Sequence, residues 1–106
     1  MAYKLLPEQE FKIKVNKAAS AIEIMTGIHR NEFLSDSSHN KFTVNAKRWF
    51  TFALSEILDV PRIQITNVGF KMHTIKDYIE IVNRSHDKTD IMKAKRLREL
   101  LSQIDA

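Results

Sequence analysis

With 106 residues, 43% of them apolar and 28% charged, the chain has the size and makeup of one folded domain around one hydrophobic core, which excludes a disordered tract. It holds no cysteine, so a disulfide framework and a thiolate metal site are excluded, and a reducing, cytoplasmic or nucleoid-associated setting is expected. The net charge is +4, and its surplus is local: 12 Lys/Arg stand against 6 Asp/Glu from Lys41 to Arg98, and 5 against 7 elsewhere. Such a surplus fits a polyanionic partner, and no less a plain solubilising surface.

The start, Met1 to Glu10, lacks the apolar run of a signal peptide, and no stretch of about 18 apolar residues exists to span a membrane. No membrane partner is expected. Two prolines stand where helices can begin and two glycines where helices can end. With no repeat or low-complexity stretch, residues 1–106 read as one domain, with a core unit over 7–84 and an amphipathic helix over 88–106.

Pro7, Glu8 and Glu10 form a first helical turn with acids at the positive end of the helix dipole. Phe11, Val15, Ala18, Ile22 and Met25 then recur at helical spacing, and Gly27 is a left-handed stop. The run from Phe11 to Val15 also alternates like a strand, which leaves a later helix start open. A short helical turn over 31–34 leads into a polar loop over 35–41.

Thr43 is the expected cap of a helix running to about residue 58. Trp49, Phe50, Phe52, Ala53, Leu54 and Ile57 cover most of its circumference, which marks a central helix surrounded by others. Pro61 opens a short helix to about Thr66, Asn67-Val68-Gly69 makes a turn, and a helix follows from Met72 to Arg84. The core stripe of that helix is Met72, Ile75, Tyr78, Ile79 and Val82. Thr89 with Asp90 is the expected cap of a last helix, striped by Ala94, Leu97, Leu101 and Ile104. The expected fold is all-α, a compact bundle of five to six helices.

Residues 60–82 carry the functional signal. A short helix, a glycine turn and a helix of three turns make a helix-turn-helix arrangement. Gly69 tolerates the turn's backbone angles, and Lys71, His73, Thr74 and Lys76 place polar groups at the start of the second helix. That end is the one that enters a major groove. There Thr can meet a thymine methyl or a base hydrogen bond, and Lys and His can donate to purine edges or phosphate.

In order along the chain come Thr26-Gly27-Ile28, Leu34-Ser35 and Val44-x-Ala46-Lys47-Arg48. Phe52 to Glu56, Pro61-x-Ile63 and Gly69-x-x-x-x-Thr74-Ile75 follow them. This succession, over about residues 15–82, resembles the C-terminal DNA-binding domain of the bacterial replication initiator DnaA, a Trp-repressor-like fold. The resemblance implies backbone and minor-groove contacts from Lys41, Lys47 and Arg48. It implies major-groove reading by Lys71, Met72, His73 and Thr74.

The family's glycine-arginine-aspartate-histidine-threonine-threonine core stands here as Gly69-Phe70-Lys71-Met72-His73-Thr74, with only the glycine and last threonine in register. A different base sequence is therefore expected. Ser37, Ser38, His39 and Asn40 fill loop places where the family tends to carry arginine. No phosphate-cradling G-x-x-x-x-G-K-S/T run is present, so a stand-alone DNA-binding unit of a phage or bacterium is expected rather than an ATP-driven initiator.

Other readings bear on the same residues. His29, His39, His73 and His86 are far apart and do not pair at helical spacing, so no metal or other cofactor is expected. Trp49 and Phe50 read as core. Lys93, Lys95, Arg96 and Arg98 read as a solvated face, and the leucine stripe beneath them fits either docking on the domain or pairing with a second copy or another protein. No catalytic grouping or small-molecule site stands out. Asp77 and Glu80 lie on the outer face of the second helix, where acids repel phosphate. Ile81 lies off its core stripe, which suggests a covering element or a protein partner. The leading expectation is a sequence-selective duplex-DNA binder in replication or transcription control. The alternative is a protein-interaction module that reuses the fold.

Overall fold

The structure, a computed structural model, describes residues 5–34 and 40–104. Within them α1 spans Glu8–Thr26, α2 Arg30–Phe33, α3 Lys41–Phe52, α4 Arg62–Ile65, α5 Met72–Arg84 and α6 Lys88–Gln103. The described residues contain helices and no strand. The alternation from Phe11 to Val15 is therefore helical, and α1 starts directly after Pro7, whose φ of −53° suits the entry. Of the expected loop over 35–41, residues 35–39 lie outside the described residues, and with them Ser37, Ser38 and His39.

One core joins the helices. Ala18, Ala19 and Ile22 from α1 meet Phe33, then Ala46, Trp49 and Phe50 from α3, Ile65 from α4, Ile75 and Ile79 from α5, and Leu97 and Leu101 from α6. The helix begun by α3 lies at the centre, as its all-round apolar composition requires. It packs most extensively on α5, while α6 packs against α1. The leucine stripe of α6 is thus spent within the domain.

Two expected caps are corrected. Asn40, not Thr43, caps α3: its Oδ1 accepts from the Phe42 N–H at 2.8 Å, and Thr43 is buried one turn inside. Asp87, not Thr89, caps α6 by accepting the Thr89 N–H at 2.8 Å. Pro61 stands just outside α4, which tightens into a 3₁₀ turn over Thr66–Val68.

The central helix ends unusually. Over Ala53–Ile57 it widens into a π-helical turn, and the Leu58 N–H donates to the Ala53 carbonyl at 2.9 Å. Asp59 then takes the left-handed conformation at φ 56°, a place that glycine usually fills. Lys14 Nζ donates to the Leu58 carbonyl at 2.8 Å, which puts a cation on the negative end of this helix and ties α1 to it.

The segment before α1 is pinned as well. Gln64 is buried on α4; its Oε1 accepts the Leu6 N–H and its Nε2 donates to the Leu6 carbonyl, both at 2.9 Å. A side-chain amide here serves as a backbone partner across 58 residues of sequence.

Candidate nucleic-acid interface

The turn between α4 and α5 is built around Gly69, at φ 126° and ψ 5°, whose N–H donates to the Thr66 carbonyl at 3.0 Å. Phe70 comes next and is buried. Its ring lies 6.2 Å from that of Phe50 on α3 and 6.5 Å from that of Tyr78 on α5. This aromatic plug sets the start of α5: with Phe70 held inward, Lys71, Met72 and His73 emerge on the outside. The carbonyl of Leu34 lies 3.9 Å from where a Cβ on Gly69 would stand, so the end of α2 abuts this turn.

Along α5 the amphipathic division is sharp. Ile75 and Ile79 are fully buried, Tyr78 and Val82 half-buried, and Lys71, His73, Lys76 and Asp77 exposed. Thr74 is half-buried at the border. Met72, expected in the core stripe, is instead 46% exposed, while Phe70 two residues earlier is buried. Lys71 supplies no side-chain cap, so the first-turn N–H groups of α5 are not answered from its own N-cap.

The residues expected on α3 divide. Lys41 is exposed at the first position of the helix. Arg48 is half-buried, with its Nε sealed from solvent and without an acceptor. Lys47 is a correction: at 1% exposure it belongs to the core and cannot meet a phosphate at the surface. The reason is its place on the wheel. Thr43, Lys47, Phe50 and Leu54 follow one another at helical spacing on the face that packs inward, and all are buried. That spacing was the sequence signal that its charge overrode.

Acids also border the start of α5. Asp59 lines a shallow depression of about 410 Å³ with Pro61, Arg62, Ile63 and Met72, and the Arg62 guanidinium lies 3.7 Å from Glu56. Glu80 is drawn to Arg84 at 3.7 Å, whereas Asp77 has no cationic group within 4 Å among the described residues. Ile81 is 48% exposed, so the described helices cover it only in part.

Glu23, which the sequence reading did not single out, fixes the corner between α1 and α2. Arg30 donates to it from its guanidinium at 2.8 Å and from its backbone N–H at 2.9 Å, and reaches Ser20 at 3.0 Å. These bonds hold the Glu23 carboxyl below its ordinary range. Among the described residues, no group of three or more histidines and acids is placed to hold a metal ion, and no helix is long and apolar enough to cross a membrane.

Comparison with models of protein families, with curated proteins and with solved structures finds no match for this chain.

Proposed function

We propose that the chain binds duplex DNA, with α4 and α5 acting as a helix-turn-helix unit that inserts the first turn of α5 into a major groove. The observation that supports it best is that this turn is exposed and carries Lys71, His73 and Lys76, with α6 packed elsewhere, on α1. Lys41 and Arg48 on α3 are the backbone contacts in this reading, and Lys71, His73 and Thr74 the groups at base edges. The kinship in kind to the DnaA C-terminal domain rests on the order of sequence motifs and belongs to the same proposal, as does a role in replication or transcription control.

A selection from randomised duplex DNA at two salt concentrations tests the reading. Enrichment of one short site is expected, with affinity falling steeply as salt rises. Thr74→Ala relaxes selectivity at one base position by about 1–3 kcal/mol and leaves the rest of the site as it was. Absent or salt-independent binding overturns the proposal.

A second reading, protein docking on the outer face of α5, is favoured by one observation: Ile81 stands half-exposed beside Asp77 and Glu80. An association that survives nuclease treatment and is lost in Ile81→Glu distinguishes it from the first.

A further inference from the structure

Away from α5, the end of α1, the start of α3 and the outer side of α6 enclose an open groove of about 650 Å³. Its apolar lining is Met25, Ile28, Phe42, Trp49 and Met92. Two of these stand proud of the surface: Phe42 and Met92 are each 71% exposed. An aromatic ring and a methionine so presented are costly to leave in water and mark a surface that meets something apolar.

The rim is predominantly basic. Lys93, Lys95 and Arg96 line the groove, and none has a carboxylate within 4 Å among the described residues, although Glu99 lines the same groove. Three unpaired cations beside an apolar floor complement a ligand that joins negative charge to apolar side chains. Nucleic acid supplies the charge without the aliphatic groups. A small amphiphile would need enclosure, whereas this groove is open and its largest apolar groups project outward.

We propose that the groove docks an acidic amphipathic helix of a partner protein. Apolar side chains at helical spacing would seat against Phe42, Met92 and Met25, and its acids would meet Lys93, Lys95 and Arg96. Met25 and Met92 give the floor flexible side chains that adapt to a helix face. The groove uses neither α5 nor the turn before it, although Phe42 and Trp49 are sequence neighbours of Lys41 and Arg48, the α3 contacts of the DNA-binding reading.

Trp49, the chain's single tryptophan, borders the groove but is only 2% exposed, so occupancy is read from the fluorescence anisotropy of a dye-labelled peptide. The probe is a synthetic 16-residue peptide with Leu and Phe at i, i+3, i+4 and i+7 and Asp or Glu elsewhere, titrated with the full chain. Two controls are a peptide of the same composition with the helical spacing scrambled, and one with Lys for every acid. A saturable rise in anisotropy with the first peptide alone is expected. Affinity should fall by roughly tenfold in Phe42→Ala/Met92→Ala and by a similar factor in Lys95→Glu/Arg96→Glu.

All four side chains lie at least partly in solvent, so an unchanged far-ultraviolet circular dichroism spectrum verifies that the variants fold. Equal binding of the scrambled or lysine peptide overturns the proposal, as does indifference to both double substitutions. Binding to phosphatidylglycerol vesicles that exceeds binding to the acidic peptide, and that is lost in the same variants, assigns the groove to a lipid surface and overturns it too.

Discussion

Arg30 grips Glu23 from two sides of its own residue: the guanidinium Nη2 lies 2.8 Å from Oε1, and the backbone N–H lies 2.9 Å from Oε2. The pair closes the Thr26-Gly27-Ile28 corner and seats α2, whose Phe33 reaches the core against Phe50 at a ring distance of 5.4 Å. Arg30 lowers the Glu23 carboxyl below its usual value of 4.5 in the folded chain. A group so lowered stabilises the fold fully above its unfolded value and loses that contribution as pH falls through its folded value. Glu23→Gln should therefore cost about 1–2 kcal/mol at neutral pH, a figure kept small by partial exposure. The gap in Tm between the two proteins should narrow as the pH drops below 4.5 and through the lowered folded value. A gap that does not narrow on acidification would assign the loss to something other than the carboxylate.

The Gln64 amide ties Leu6 to α4 through two hydrogen bonds of 2.9 Å each. Truncating it in Gln64→Ala leaves the Leu6 N–H and carbonyl without their partner and removes volume from a buried position. A loss of about 1–3 kcal/mol is expected. The sharper readout is local: the Leu6 amide should exchange hydrogen many times faster, while the amides of Ile75 and Ile79 speed up only as far as the loss of global stability dictates. Unchanged protection at Leu6 would show that the clamp does not form.

What the sequence disclosed, and what it hid, follows from how local each cause is. The bounds of α5 were legible because Gly69 and the stripe of Ile75, Tyr78, Ile79 and Val82 are signals within one segment. The central place of α3 was legible for the same reason. Cap identity was not. Asn40 and Thr43, and likewise Asp87 and Thr89, are all competent caps a few residues apart, and the choice falls to which one the core claims. Thr43 is claimed and buried. The π-helical turn over Ala53–Ile57 has no composition of its own by which the sequence would reveal it. At the candidate interface, the exposed start of α5 was legible, but the inward plug of Phe70 depends on Phe50, twenty positions earlier.

Asp59 holds a left-handed backbone at φ 56°, and it lines the depression next to Met72 at the start of α5. Glycine relieves that conformation, at about 1 kcal/mol, but gives back a similar amount through the freedom it adds to the unfolded chain. Asp59→Gly should thus leave Tm nearly unchanged or slightly raised. If α5 enters a DNA groove, removing this acid also tightens binding to any duplex, and more so at low salt. Asp77→Asn, on the exposed face of α5, should act in the same direction without altering the backbone. Tighter binding in neither variant, measured by fluorescence anisotropy at two salt concentrations, would place these acids away from phosphate.

Lys41 and Lys47 begin from equal charge and end in opposite roles. Lys41 is exposed at the first turn of α3; Lys47, buried among Thr43, Phe50 and Leu54, belongs to the core. Long cations can contribute through their aliphatic stems as well as their charge. Lys47→Ala empties a packed position and should cost about 2–4 kcal/mol, by analogy with truncation of aliphatic residues of similar length. Its effect on duplex binding should vanish once measurements are made well below its lowered Tm. Lys41→Ala should do the reverse: stability stays within about 0.5 kcal/mol of the parent, and the slope of log affinity against log salt falls by about 0.9. A Lys47→Ala protein that is fully stable yet loses salt-dependent binding would return that side chain to the surface, and with it the division of α3 into an inner and an outer face.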